Sequence, residues 1–181
     1  MKRVFVLSAC LLIVSCASAQ NTLTVKQAEA ACGDFSVNFH VKKHHTYGAV
    51  PPVQKGKARI YVFENFGGIY GPFTGAYGGP TIRVGMDGQW IGADKGASYL
   101  HFPATPGEHH LCVNWQSVFV GLNSLIWLTN VNVQADQTYY FLVVPTQDTR
   151  NSGLLRLRPL DSDEAQLLLA EYPLALPTAH K

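Results

Sequence analysis

Apolar and polar residues alternate along most of this chain. In residues 34–41 the apolar side chains of Phe35, Val37, Phe39 and Val41 occupy every second position. This period of two is typical of a β-strand with one buried face. The same alternation, or an enrichment in β-branched and aromatic residues, predicts further strands at residues 57–64, 81–86, 89–92, 98–102, 109–116, 124–133, 138–144 and 154–158.

Turn signals separate these strands. Asp87-Gly88 is a strong two-residue hairpin signal, because both central residues of a type I′ turn have positive φ. Pro106-Gly107 marks another turn. Short strands between closely spaced turns predict a mainly β fold, either a single antiparallel β-sandwich or a partly open barrel.

One helix is well signalled, near the C-terminus. Asp161 is a suitable N-cap, Glu164 follows three residues later, and Pro173 stops the helix. We therefore expect a β-sandwich domain with a short C-terminal helix at residues 34–173. A leader with weak helical character precedes it at residues 20–33, and a frayed tail follows at residues 174–181.

The N-terminus has the pattern of an export signal. Lys2 and Arg3 precede an apolar run at residues 4–14, and the small residues Ala17 and Ala19 suit cleavage before Gln20. The run is too short to cross a bilayer as a helix, which needs roughly 20 residues. Residues 1–19 are thus predicted to be a signal peptide, and the protein to be periplasmic or secreted.

The same region also contains a motif for a second processing route. The sequence IVSC at residues 13–16 resembles the lipobox of bacterial lipoproteins, in which the cysteine is lipidated. The signal would then cover residues 1–15, and a lipid on Cys16 would tether the protein to a membrane. The well-formed cleavage site before Gln20 favours the soluble form over this alternative.

Composition narrows the choice of partners. The net charge is only +2, and two of the basic residues lie in the signal region. Nucleic acid is therefore not expected as a partner, and a membrane only through a lipid anchor. Charged residues make up 14% of the chain against 47% hydrophobic residues, so most of it should fold. An envelope component or a small ligand remains open as the partner.

Cysteine usage predicts one disulfide. Of the four cysteines, Cys10 and Cys16 lie in the signal region, which leaves Cys32 and Cys112 in the soluble form. Two cysteines in an oxidising compartment most simply bond to each other. We expect a Cys32–Cys112 disulfide that ties the leader to the middle of a sheet.

A glycine-rich segment at residues 65–80 is the most distinctive stretch of the chain. Phe66, Tyr70, Phe73 and Tyr77 are interleaved with six glycines. A phosphate-binding loop would continue into a helix, whereas a strand is predicted to follow here. The segment is interpreted as a strand-connecting loop whose aromatic residues fold over a sheet, or alternatively as a ligand-contact surface.

Three motifs in fixed order resemble a bacterial envelope family. They are VGMDGQWIG at residues 84–92, GASY at 96–99 and PGEHHL at 106–111, preceded by a strand opening GKARIYV at 56–62. Together they are similar to domain-of-unknown-function family 2846, over roughly residues 56–144. The hairpin and the PGEH turn also resemble the small PEGA surface modules. The resemblance implies a secreted or lipoprotein β-sandwich and implies no catalytic activity.

From the sequence motifs we predict no catalytic residues and no cofactor. Two histidine pairs, at residues 44–45 and 109–110, suggest metal binding, since imidazole is a common ligand. His109 and His110 are the main candidates. Neighbouring side chains on a strand point to opposite faces, however, so we expect no metal site there. A Gly-x-Ser-x-Gly nucleophile motif is absent from the sequence.

The sequence therefore predicts a non-catalytic exported envelope protein with a binding or structural role and an unidentified ligand. Two alternatives remain. One is a periplasmic metal-dependent hydrolase. The other is a carbohydrate-binding module that uses the 70–77 aromatic segment or one of the tryptophans Trp90, Trp115 and Trp127.

Overall fold

A computed structural model describes residues 25–45, 52–66, 80–116, 126–145 and 155–181 of the chain. Ten strands in these ranges form two sheets. The large sheet contains, in spatial order, β1 (Asn38–His44), β10 (Leu174–His180), β5 (Ser98–Ala104), β2 (Ala58–Glu64), β8 (Thr138–Pro145) and β9 (Leu155–Pro159). The small sheet contains β4 (Gln89–Lys95), β3 (Thr81–Met86), β6 (Gly107–Gln116) and β7 (Ile126–Val133). The helices are α1 (Val25–Cys32) and α2 (Ser162–Glu171).

The two sheets pack face to face and are not closed into a barrel, which confirms the predicted β-sandwich. Every second residue of the central strands points into the space between them, because successive side chains alternate across a strand. Fully buried residues of this kind are Ile60 and Val62 in β2, Ile82 and Val84 in β3, and Leu111 and Val113 in β6.

A second apolar cluster covers the outer face of the large sheet. The β2 residues Tyr61 and Phe63 pack there with Leu142 of β8 and with Ala165 and Leu169 of α2. The predicted helix start is confirmed, since the backbone N–H of Glu164 donates to Oδ1 of Asp161 over 2.7 Å. Helix α2 therefore closes one outer face of the sandwich.

The predicted hairpin is also confirmed. β3 pairs with β4 through Asp87 and Gly88, whose φ angles are 53° and 80°. Both residues occupy the positive-φ region that a type I′ turn requires. The partner strand is longer than predicted and continues to Lys95.

The large sheet is mixed rather than purely antiparallel. β2 runs parallel to β8, and β10 makes a parallel contact with β5 at Leu174 and Tyr99. Parallel neighbours need a long crossover connection, and here the small sheet lies between β2 and β8 in the chain. Alternation within one strand carries no information about such pairing.

Two further predicted boundaries were wrong. Residues 174–181 are not a tail, because residues 174–180 form β10, which pairs antiparallel with β1 along its whole length. The first strand begins at Asn38 rather than at residue 34, since residues 35 and 36 form a turn. The leader does contain a helix, α1, which packs against the small sheet. Residues 1–24, which include the predicted signal peptide and Cys16, lie outside the described residues.

Candidate functional site

A groove opens along one side of the sandwich, where the edge strand β7 faces β8 and β9 of the large sheet. Its volume is about 470 Å³, within the range of roughly 300–1,000 Å³ typical of ligand pockets. The lining consists of residues 129–132, residues 138–141, Leu157, Pro159, Leu160 and Ser162. A smaller pocket of about 250 Å³ lies between α1 and the hairpin turn at Asp87 and Gly88.

Among the described residues, the groove lining carries hydroxyl, amide and apolar groups but no charged side chain. Two of its tyrosines are held in place by the fold. The hydroxyl of Tyr139 accepts a hydrogen bond from the backbone N–H of Gln134 over 2.9 Å. The ring of Tyr140 stacks on Tyr61 with centroids 5.3 Å apart. A fixed, uncharged wall of this kind suits a neutral ligand with its own hydrogen-bonding groups.

We name a second constellation the interior polar cluster. It consists of the buried residues Glu64, Asp94 and Ser98 and of Lys43, an exposed residue of β1 whose Nζ reaches the Gly96 carbonyl beside them. Glu64 follows Val62 on the inward face of β2 and is paired in register with Ser98 of β5. Asp94 of β4 is paired with the core residue Ile82. Glu64, Asp94 and Ser98 have no exposed surface, so strand alternation places these polar groups among core residues.

In the interior polar cluster, only one oxygen of each carboxyl group has a hydrogen-bond partner among the described residues. Oε2 of Glu64 accepts from the backbone N–H of Gly96 over 2.7 Å, and Lys43 donates from Nζ to the Gly96 carbonyl. Ser98 donates from Oγ to Oδ1 of Asp94 over 3.4 Å. Oε1 of Glu64 and Oδ2 of Asp94 are buried and have no hydrogen-bond partner among the described residues.

Enclosure shifts the protonation of the interior polar cluster. Burial raises the pKa of Glu64 to about 8, although the Gly96 N–H and the Lys43 charge oppose the change. Burial, and next the charge of Glu64, raise the pKa of Asp94 well above its usual value. Burial lowers the pKa of Lys43, which the charge of Glu64 opposes. The charge of Lys95 also opposes the rise in the Glu64 pKa, but burial outweighs both ammonium groups, so a proton is retained at neutral pH.

Perturbed carboxyl groups often mark active sites, but they also occur in structural networks. Here Glu64 and Asp94 have no exposed surface among the described residues, and nearby the backbone N–H of Gly96 also donates to the carbonyl oxygen of Pro80. Without exposed surface, the two carboxyl groups are placed to retain a proton rather than to contact a substrate.

A buried arginine fastens the N-terminal segment to the outer face of the small sheet. Arg83 is 1% exposed, and its guanidinium donates to the side chain of Asn114 and to the carbonyls of Phe35 and Val37. The guanidinium carbon lies 4.8 Å from the ring centroid of Trp90. Burial lowers the pKa of Arg83 to about 10. This arrangement explains why residues 35–37 are not part of β1, because the carbonyls of Phe35 and Val37 accept hydrogen bonds from Arg83.

His109 forms polar contacts at the hairpin turn. Nδ1 of His109 lies 2.6 Å from Oδ2 of Asp87, and its Nε2 lies 2.7 Å from the carbonyl oxygen of Thr105. Both partners are acceptors, so the doubly protonated imidazolium matches the site. Burial alone would lower the pKa of His109, but the hydrogen bonds to Asp87 and Thr105 raise it. A charged His109 offers no lone pair to a metal.

His109 and His110 point to opposite faces of β6, as predicted. The side chain of His109 is 9% exposed and that of His110 is 57% exposed. Throughout the described ranges, no group of three or more histidine, cysteine, aspartate or glutamate side chains is placed to hold a metal ion.

The aromatic residues predicted to contact ligand do not share one surface. Phe66 is a core residue, only 2% exposed, and its ring packs on Trp115 with centroids 5.4 Å apart. The prediction of Phe66 as a ligand contact is therefore wrong, because its side chain enters the space between the sheets. Tyr70, Phe73 and Tyr77 lie outside the described residues. Trp90 is engaged with Arg83, and among the three tryptophans Trp127 is the most exposed, at 36%.

The two cysteines lie where the sequence predicted. The sulfur atoms of Cys32 and Cys112 are at disulfide-bonding distance, with Cα atoms 5.6 Å apart. Both residues are fully buried between α1 and the outer face of the small sheet. The pair joins the end of α1 to the middle of β6.

Sequence reasoning missed both the groove and the interior polar cluster. One signal was available for the cluster, because Glu64 continues the inward set Ile60 and Val62 of a strongly apolar strand. The groove had no comparable signal, since it forms between strands that follow one another in the chain but belong to different sheets.

No match to this chain emerges from a scan against protein-family models, from curated proteins or from solved structures. The similarity to family 2846 therefore stays a prediction.

Proposed function

We propose that this protein is a non-catalytic, exported binding protein of the bacterial envelope, and that the groove between β7 and β8–β9 is its binding site. The uncharged lining of that groove carries the proposal. Charged ligands would lose hydration there without gaining an ionic partner, which costs several kcal/mol for a desolvated ion. The groove therefore selects neutral ligands with hydrogen-bonding groups.

Two features support a role without catalysis. The carboxyl groups with strongly raised pKa values, Glu64 and Asp94, have no exposed surface. The best general acid–base candidate, His109, is held between Asp87 and Thr105 at the hairpin turn. Neither group borders the groove, whereas a catalytic group has to reach the reacting atom.

Export is supported by the N-terminal signal pattern and by the Cys32–Cys112 pair, since disulfides persist outside the reducing cytosol. Within the described ranges, neither helix is long and apolar enough to cross a bilayer. Intact-mass analysis of the natively exported protein separates the two processing routes. A chain beginning at Gln20 identifies the soluble form, and a lipid mass on Cys16 identifies the anchored form.

The binding proposal is tested by thermal shift with neutral oligosaccharides, anionic oligosaccharides, uncharged peptides and charged peptides. Neutral ligands should raise the melting temperature, and charged ones should not. Asn132→Asp, which adds one charge to the groove wall at constant shape, should reduce the effect. Asn38→Asp on β1 is the matched control outside the groove. If no neutral ligand binds, or if binding is indifferent to Asn132→Asp, the groove is not the site.

A neutral carbohydrate is the second candidate ligand, favoured by the two tyrosines and two asparagines around the groove. A periplasmic hydrolase would instead require turnover of one of the oligosaccharides or peptides. Product formation that is abolished by a groove substitution would replace the binding proposal by an enzymatic one.

A further inference from the structure

The described strands leave four sheet edges, and they differ in how they are protected. The edges are β1 and β9 in the large sheet and β4 and β7 in the small sheet. An edge strand presents unpaired backbone N–H and C=O groups, so natural proteins protect edges with charges, proline, short length or covering chain. An edge without such protection is suited to pairing with another strand.

Both edges of the large sheet are protected. β1 carries Lys42 and Lys43 in its second half. β9 is only five residues long, contains Arg156 and Arg158, and ends in Pro159. Charges and proline of this kind discourage the addition of a further strand.

The edge β4 of the small sheet is overlaid by other parts of the chain. A Cβ atom placed on Gly33 would lie 2.9 Å from the backbone nitrogen of Trp90, so the N-terminal segment covers that point. One placed on Gly92 would lie 2.9 Å from the side chain of Pro177 in β10. β4 also contacts β1 and β5.

β7 has none of these protections within the described residues. Its eight residues, IWLTNVNV, include no charged residue, no proline and no glycine. It pairs with β6 along one side only, from Gly107↔Val133 to Asn114↔Ile126. Its other side faces the groove. Within the part of the chain that the structure describes, the least protected sheet edge therefore borders the uncharged groove.

We propose that β7 receives an extended strand of a partner polypeptide, which pairs with its free edge and places alternate side chains in the groove. This inference rests on the proposed function and names its ligand class. A strand beside β7 repeats the spacing of the backbone groups along all eight residues, which a compact ligand cannot do. Every second side chain of that strand then points to the same face as Val131 and Val133, into the space between the sheets.

The lining defines the sequence that fits. Thr129, Tyr139 and Leu157 present hydroxyl and apolar groups, so the inward positions take apolar or small hydroxyl side chains without charge. The volume of about 470 Å³ accommodates a few side chains of one strand rather than the face of a second sandwich. A partner polypeptide is therefore favoured over a second copy of this chain.

The test uses a capped eight-residue peptide that alternates valine and threonine, added to the exported protein. Hydrogen exchange followed by NMR should show new protection at alternate amides of residues 126–133. The same peptide with proline at its centre should give much less protection, because proline removes a ladder donor. Exchange in β1 and β9 should stay unchanged.

Matched variants locate the bound strand. Alternation gives Thr129 the same inward orientation as Val131 and Val133, and Thr129 lines the groove. Thr129→Lys should weaken peptide binding by roughly tenfold or more, equivalent to about 1.4 kcal/mol per tenfold. Thr178→Lys, at an exposed position of β10 outside the groove lining, is the matched control and should leave binding nearly unchanged. The exchange pattern of the unaltered protein decides the question if Thr129→Lys fails to fold.

The outcomes separate this inference from the proposed function. If a neutral oligosaccharide binds the groove while the peptide leaves β7 exchange unchanged, strand addition is wrong and the binding function stands. If no ligand class binds, both fail. If β7 amides are protected without peptide, in a species whose mass is that of a dimer, the occupant is a second copy and the partner proposal is overturned.

Discussion

His109 and Asp87 form a charge-assisted hydrogen bond of 2.6 Å between Nδ1 and Oδ2, which joins the β3–β4 turn to β6. The other carboxylate oxygen of Asp87 accepts from the backbone N–H of His110 over 2.8 Å. Asp87 thus occupies the positive-φ turn and also holds the turn against β6 through both carboxylate oxygens. The turn signal in the sequence and this polar contact depend on the same residue.

Replacing the Asp87 carboxylate should cost stability and change its pH dependence. Asp87→Asn keeps a residue that tolerates positive φ but loses the charge, and should lower the free energy of unfolding by about 1 kcal/mol, since Asp87 is half-exposed. The raised His109 pKa contributes stability below pH 6.5 that is lost as pH rises through the folded value. Burial would raise the Asp87 pKa, but hydrogen bonds from His110 and His109 lower it. Its contribution is therefore present above pH 3.8 and lost as pH falls through the folded value.

Urea denaturation between pH 3 and pH 8 measures this effect. The unaltered protein should gain most from the pair at mildly acidic pH, and Asp87→Asn should lose that gain. Asp163→Asn, at an exposed position of α2, serves as the control. Equal stability of the Asp87 variant at all pH values would show that the contact contributes nothing.

The interior polar cluster should make the protein less stable as pH rises. The folded pKa of Glu64 is raised from 4.5 to about 8. Its protonated form therefore supports the fold fully below pH 4.5, and that support is lost as pH rises through about 8. At about 1.36 kcal/mol per pKa unit, the loss is on the order of a few kcal/mol.

Glu64→Gln isolates this contribution. The amide keeps an acceptor for the Gly96 N–H but cannot ionise. The variant should be more stable than the unaltered protein at pH 8 to 9 and close to it at pH 5, as measured by thermal melting. Parallel pH profiles for the two proteins would mean that Glu64 does not retain a proton in the folded state.

Local rules predicted much of the fold. Asp87-Gly88 and Asp161 specify a turn and a helix start through their own backbone preferences, and the structure confirms both. β10 escaped prediction because Pro177 and the terminal position suggested fraying, whereas pairing with β1 determines its conformation. Ordering of that segment is a tertiary effect that its own sequence does not encode.

The candidate sites could be predicted only in part. Inward alternation marks Glu64 as a buried carboxyl group, but Asp94 joins it only because two sheets stack at that end. The groove forms because β7 and β9 are edge strands of their two sheets. Strand order, unlike strand position, follows from long-range pairing, which a single sequence does not reveal.

Arg83 should not tolerate replacement by lysine. Its planar fork reaches Asn114 and the carbonyls of Phe35 and Val37, whereas one ammonium group cannot match all three. Leaving buried acceptors unpaired costs about 1–3 kcal/mol each. Arg83→Lys should therefore lower the free energy of unfolding by roughly 2 kcal/mol or more in chemical denaturation. Arg156→Lys, at an exposed site on β9, should change it by less than about 0.5 kcal/mol.

The Cys32–Cys112 bond should be a major source of stability. It joins residues 80 positions apart, for which chain entropy gives roughly 4–5 kcal/mol. Because the two residues act only through one bond, Cys32→Ser, Cys112→Ser and the double variant should lose similar amounts. For a domain of this size the loss corresponds to roughly 10–20 °C in melting temperature.

Reductant supplies the internal control for this prediction. It should lower the melting temperature of the unaltered exported protein to nearly that of the double variant and leave the double variant unchanged. Limited proteolysis should then cut first near α1, because Cys32 is the covalent link from that helix to β6. Two alkylatable thiols in non-reduced exported protein, or a melting temperature indifferent to reductant, would contradict the bond.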